Sequence, residues 1–318
     1  MKLLSHPDEV DLQIQSLRRD IFIDHSDAQR IARQIEASLR AFRAGKELGH
    51  AADVRGVVIL GRSGTGKTAS VHRALASLGL PASKVGAYPR AQIYVSLRDD
   101  VTLRKLRGLI SLEYGWTPKA RDSAEDIWQY VVEYIERLST EIIVLDEIQH
   151  VRAAGEKDRQ SMRDALKSLV QPQRGQVLPV LIGTPAFAEL LNSDQQFRRR
   201  FNVVHMTDLD PAVDASRAIR IVARYCEEVG IGMDKSVTSR DFARRLLHAS
   251  YYALRELCEI SLQAVKAALV AGNERLELAH FQTTHSERFD CLPEMNPFVA
   301  QDYLAIPTDL GDGPEGWE

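Results

Sequence analysis

Residues 57–68 read Val-Val-Ile-Leu-Gly-Arg-Ser-Gly-Thr-Gly-Lys-Thr, an apolar run that passes directly into G-x-x-x-x-G-K-T. A buried strand has to deliver the chain to this loop, and a helix over 69–78 has to carry it away. Gly61, Gly64 and Gly66 let the backbone turn so that successive N–H groups face one concavity. Arg62, Ser63, Thr65 and Ala69 fill out the cradle. Lys67 reaches the β- and γ-phosphates of a nucleoside triphosphate, and the Thr68 hydroxyl reaches its Mg²⁺. The helix N-terminus adds a dipole that favours the bound anion. Such a segment implies a nucleoside triphosphate and Mg²⁺ as cofactors and an α/β fold around a parallel sheet.

The length, 318 residues, suits one large α/β domain with a smaller second one, and 44% hydrophobic residues supply a core. No apolar run approaches the roughly 20 residues that span a bilayer, and the N-terminus turns acidic too soon for a signal peptide. Cys226, Cys258 and Cys291 lack metal-ligand spacing and read as reduced thiols of a cytoplasmic protein without membrane contact. The net charge of −3 hides an asymmetry. No Lys or Arg follows Arg288, while seven acids do, so residues 1–288 carry +4. A mildly basic body is compatible with phosphate contacts, although it does not require them.

Periodicity divides the chain into four parts: an N-terminal helical segment (1–50), an α/β core (51–208), a helical lid (209–288) and an acidic Pro/Gly-containing tail (289–318). Residues 49–55 form a connector. Strands are expected at Val57–Leu60, Gln92–Leu97, Ile142–Leu145, Leu178–Ile182 and Asn202–Met206, with helices between them. The stretch Ser123-Ala-Glu-Asp126 has the form of a capping box, with an apolar face at Ile127, Val131, Ile135 and Leu138 behind it. Beyond Pro211 the pattern is helical at 212–229, 239–248, 252–271 and near 277–284.

The second chemical signature is Ile142-Ile-Val-Leu-Asp146-Glu147. Four apolar residues carry a carboxylate to the edge of the sheet where the phosphate loop also lies. Asp146 belongs to the Mg²⁺ shell, and Glu147 polarises the attacking water as general base, which favours hydrolysis over transfer to a second substrate. A DExH helicase would need a second motor domain, for which the chain is too short. The strand at 178–182 ends in Gly183-Thr184, placing a small polar side chain beside the γ-phosphate.

Three segments together resemble the TniB/TnsC group of AAA+ ATPases, regulators of target choice in DNA transposition. They are Gly-Arg-Ser-Gly-Thr-Gly-Lys-Thr, Leu-Asp-Glu-Ile-Gln-His and, most specifically, the block Gly183–Phe201 with its Phe-Arg-Arg-Arg-Phe end. The resemblance covers residues 15–285 and implies an AAA+ P-loop NTPase with a five-stranded parallel sheet and a small helical lid. In that frame Thr184 is a γ-phosphate sensor. Arg200, or alternatively Arg199, is the finger offered to a neighbouring subunit, although adjacent arginines ordinarily form a solvated face. Arg255, at the start of a lid helix, is a second sensor, with Arg244, Arg245 and Arg275 as rivals. The segment Arg18-Arg-Asp-Ile-Phe-Ile23-Asp corresponds to the stretch that helps hold the adenine, which places Ile23 at the base. The family implies a homo-oligomeric ring or filament on duplex DNA, recruitment of a transposase, a TniQ-type target selector as partner, and disassembly on hydrolysis.

Arg104, Lys105, Lys119 and Arg121 are the candidate contacts to DNA phosphates, sequence-independent and salt-sensitive; a solvated face with nearby acids is the competing explanation. A helicase-loading or origin-type ATPase would need an added DNA-reading domain. A signalling or secretion ATPase acting on protein alone would show no response to DNA. In the tail, Phe298, Tyr303, Leu304 and Ile306 are out of place in a solubilising segment. They are expected either to dock on a neighbouring subunit or transposase, or to fold back on the lid.

Overall fold

A computed structural model describes residues 7–48, 54–80, 89–151, 155–170 and 176–308. The connector at 49–53 and the acids Asp309, Asp312, Glu315 and Glu318 lie outside the described residues. The chain forms two compact units: residues 24–207, and residues 1–23 together with 208–318.

The first two helices, α1 (Pro7–Asp20) and α2 (Ser26–Glu47), fall into different units. In the α/β unit, α2 is followed by β1 (Gly56–Leu60), α3 (Lys67–Ser77), β2 (Gln92–Ser96), α4 (Leu103–Glu113), α5 (Ala124–Arg137) and β3 (Ile142–Asp146). Then come α6 (Glu156–Val170), β4 (Leu178–Gly183), α7 (Phe187–Asn192), α8 (Gln195–Arg199) and β5 (Phe201–His205). The sheet is parallel throughout, in the order β2-β3-β4-β1-β5. All five expected strands are present.

Alternation along the strands builds two cores. Val58 and Leu60 of β1, with Ile143 and Leu145 of β3, face Leu106, Ile110, Val131, Ile135, Met162 and Leu166 from α4, α5 and α6. Val57, Ile59, Ile142 and Val144 face the other way, onto Ile31, Ile35, Leu39 and Phe42 of α2 and Val71, Ala74 and Leu75 of α3. A sheet covered on both faces explains why these strands are apolar without interruption. The helix ends follow local chemistry. Ser123 and Asp126 close the expected capping box on α5. The buried Asp27 near the start of α2 accepts from the backbone N–H of Thr207 (3.1 Å), tying that helix to the chain just beyond β5.

The helical unit contains α9 (Ala215–Val229), α10 (Arg240–Ala249), α11 (Leu254–Val270) and α12 (Leu278–Phe289). A two-residue parallel pair, β6 (Gly232–Met233) with β7 (Arg275–Leu276), is too short to leave a periodic signal. In α9, Ala218, Ile221, Val222, Tyr225, Cys226 and Val229 recur at helical spacing and are buried. Val10, Ile14 and Leu17 of α1 join the same core. Ion pairs Arg18–Glu259 (2.7 Å) and Lys266–Asp11 (2.6 Å) flank that packing. Because they are solvent-exposed they add little; the apolar stripe decides where α1 belongs.

The tail departs from the docking expectation. Phe298 is 3% exposed and lies against the rings of Phe242, Phe281 and His285. Asn296 is fully buried and donates to Gln282 O (2.8 Å) and Ser286 Oγ (2.9 Å). Arg245 donates to the carbonyls of Pro297 and Ala300, both at 2.7 Å, and lies over the Tyr303 ring. His248 Nε2 is 3.0 Å from Ile306 O. Residues 290–308 therefore fold back on their own unit, and Phe298 is not available to another molecule. Leu304, by contrast, stays 66% exposed. The three cysteines are free thiols, and none of the described helices is long and apolar enough to cross a membrane.

Candidate functional site

The strand order puts β1 between β4 and β5, with β3 next to β4, so the loop after β1 and the acids after β3 meet at one edge of the sheet. The loop itself is set by backbone conformation. Gly64 and Gly66 have φ of +79° and +91°, the left-handed region that costs glycine nothing. Gly66 precedes α3, so the N–H groups of its first turn open toward the concavity. Thr65 Oγ1 donates to Arg62 O (2.9 Å), closing the loop from inside.

Lys67 is buried, and its Nζ donates to Gly61 O (2.8 Å) and Arg62 O (2.7 Å). Burial pulls its pKa down, while the nearby charges of Glu147 and Asp146 push it back up. A phosphate arriving in the loop would compete with two neutral carbonyls for this ammonium, and charge decides that contest. Thr68 Oγ1 donates to Asp146 Oδ2 at 2.7 Å across 78 residues of sequence. Adjacent ligands of an octahedral Mg²⁺ with bonds of about 2.0–2.1 Å lie about 2.9 Å apart, so these two hard oxygens fit that ion.

Two residues at this edge were missed from the sequence. Tyr94 of β2 donates its phenol to the same Asp146 Oδ2 and packs at a tilt against the His72 ring. Burial, and secondarily that bond, drives its pKa well above the ordinary phenol range. Strand alternation was the available signal: Ile93 and Val95 point to one core, so Tyr94 must face the other. The second residue is Gln149. Its Nε2 donates to Glu147 Oε2, and its Oε1 accepts from the Thr184 N–H at 3.1 Å. Glu147 has left-handed backbone (φ +58°, ψ +43°), with its N–H held by Asp146 Oδ1 at 2.8 Å.

Lys67, Thr68, Asp146, Glu147 and Thr184 are thus joined at one edge, as the sequence implied. The arginines are distinguished by what they touch. Arg198 Nη1 donates to Phe201 O (3.1 Å), whereas Arg199 is exposed and Arg200 half-buried. The cationic group gathers at the start of α4. Arg104 donates to the carbonyls of Lys119 (2.9 Å) and Asp122 (3.1 Å), clamping the turn that exposes Lys119 and Arg121. Lys105 Nζ reaches Asp100 O (3.2 Å) and remains exposed. Ile23 and Arg255 belong to the helical unit, where Ile23 packs at the core margin and Arg255 is exposed on α11.

A parallel five-stranded sheet in this order, with its phosphate loop and strand-end acids, defines an AAA+ P-loop NTPase. The chain belongs to the bacterial TniB protein family, whose model matches residues 13–210. No curated protein matches the sequence. Among solved structures, the chain is similar to Cdc6p from Pyrobaculum aerophilum, with TM-score 0.57, 13% identity, and 86% of this chain and 70% of that one covered. It is also similar to Aeropyrum pernix ORC1 solved with DNA, with TM-score 0.57, 20% identity and coverage of 88% and 69%. For A. pernix ORC2 in ADPNP–ADP complexes the values are 0.53, 18%, 87% and 72%.

Proposed function

We propose that this chain is an ATP-hydrolysing regulator of DNA transposition that assembles on target duplex, recruits a transposase and disassembles when ATP is cleaved. The observation that carries the reading is the meeting of Lys67, Thr68, Asp146 and Glu147 at one sheet edge in a chain of the TniB family.

The loop N–H groups and Lys67 hold the β- and γ-phosphates. Thr68 and Asp146 would hold Mg²⁺, which supplies charge neutralisation on those phosphates. Glu147 takes a proton from the water that attacks the γ-phosphorus. The bond from that phosphorus to the bridging oxygen of ADP breaks, and the proton leaves with the products. Thr184 stands at the end of β4, where it can register the γ-phosphate. Arg200, or alternatively Arg199, reaches the γ-phosphate of a neighbouring subunit. Lys105, Lys119 and Arg121, on a turn fixed by Arg104, contact duplex phosphates, repeated from subunit to subunit along a ring or filament. A TniQ-type selector is the remaining partner.

Electron microscopy with duplex DNA tests this. Ordered assemblies should form with a non-hydrolysable ATP analogue and be lost with ADP. Equal DNA association under both nucleotides, or under neither, would remove the DNA-regulator reading.

A further inference from the structure

Glu147 carries a long, flexible side chain on a backbone in the left-handed region, an uncommon place for a non-glycine residue. Such a side chain loses rotamer freedom when it is ordered, so a contact has to set its direction. Among the described residues, its carboxylate accepts a side-chain hydrogen bond from the amide of Gln149. The far end of that amide is fixed to a backbone group, the Thr184 N–H at the end of β4. The amide therefore spans from a strand end to the acid.

The chemistry of the two ends requires an amide. Thr184 N–H is a donor and needs an acceptor; the Glu147 carboxylate is an acceptor and needs a donor. Glutamine supplies one of each across a planar group. A glutamate would present only acceptors and a second negative charge, and a methionine neither group. Space for the span comes from Gly183, where a Cβ would lie 2.7 Å from Ile148 Cγ2 and 3.1 Å from Gln149 Oε1. The glycine that ends β4 thus makes room for Ile148 first and for the Gln149 amide second.

We propose that Gln149 is a positioning residue for the hydrolytic step. It ties Glu147 Oε2 to the γ-phosphate-facing end of β4 and leaves the other carboxylate oxygen to accept the proton of the attacking water. This rests on the assignment of Glu147 as general base. It also makes the direction of the base depend on the strand that carries Thr184, so movement at Thr184 is passed to Glu147 through one side chain.

The test uses the full chain and compares Gln149→Met, Gly183→Ala and Glu147→Gln by steady-state ATPase kinetics and by affinity for a non-hydrolysable ATP analogue. Gln149→Met should lower kcat about tenfold with KM and analogue affinity unchanged, the pattern of a contact used in the transition state alone. Gly183→Ala, which keeps both polar groups but crowds the span, should lower kcat in the same way. Adding Gln149→Met to Glu147→Gln should cost nothing further, because the strut acts only through the acid. A slow Glu147→Gln beside a Gln149→Met of full activity overturns the strut and leaves the base assignment standing. A loss in Gln149→Met matched by weaker analogue binding also overturns it, as a general structural effect. Normal turnover by Glu147→Gln itself overturns the base assignment, and the strut's role with it.

Discussion

The α/β unit is built from an unbroken stretch, residues 24–207, whereas the helical unit gathers residues from both ends of the chain. In the first, β1 to β4 are each followed by helices that pack on the sheet, so strands and their covering helices alternate along one continuous segment. In the second, α1 meets α9 and α11 across some two hundred residues, and residues 290–308 close back over α10 and α12. The loop entropy of such contacts has to be offset by buried apolar area, and the rings of Phe242, Phe281 and Phe298 supply it. The difference separates two kinds of vulnerability. Damage to the first unit should show in chemistry, and damage to the second in stability.

The largest effect tests that separation from the chemical side. Lys67→Ala should abolish ATP binding, measured with a fluorescent nucleotide, while leaving the thermal transition of the nucleotide-free protein unchanged. A variant that binds ATP normally would show that the loop does not depend on its one buried cation.

From the structural side, Phe298→Ala opens a cavity among three aromatic rings and should cost about 3–5 kcal/mol. Truncation after Arg288 should be worse, since it also removes the Asn296 bonds and both carbonyls held by Arg245. Chemical denaturation of the nucleotide-free protein measures both. A truncated protein as stable as the intact chain would reverse the assignment of the tail to the helical core.

A smaller effect comes from pH. His285 is packed against Phe289 and Phe298, and burial, with Arg288 adding to it, pushes its imidazole down to about 4. An unfolded histidine takes its proton near pH 6.5, so the unfolded chain binds that proton first as pH falls. The stability contribution is therefore complete above about pH 6.5 and is lost progressively toward pH 4. The melting temperature should decline across that window, and His285→Leu should flatten the decline. An identical slope in the variant would exclude His285 as the source.

The smallest effect per residue lies on the cationic turn. Lys105→Ala with Lys119→Ala should weaken DNA binding uniformly across sequences and reduce the salt dependence by about two in slope per subunit. Unchanged binding would move the DNA surface elsewhere.

Much of the α/β unit could be read from sequence because strands buried on both faces are apolar without break, and the chemistry sits where such strands end. Gly61 to Thr68 and Asp146-Glu147 needed no tertiary information. The order of the sheet did, since nothing in β4 says that it separates β1 from β3. Tyr94 and Gln149 were overlooked because their roles depend on which strand lies alongside: the phenol and the amide find partners 52 and 35 residues away. For the tail the sequence left two outcomes open, docking on another molecule or folding back on the lid, because composition averages over single anchors such as Phe298 and Asn296, whose partners lie on other helices.

The central claim is that one edge of the sheet binds and hydrolyses ATP, with Glu147 as the base. Its most direct test is Glu147→Gln, assayed for ATP binding and for phosphate release in the same preparation. The account predicts ATP affinity equal to that of the unaltered protein and hydrolysis slower by at least about tenfold. Phosphate release at the unaltered rate would contradict it.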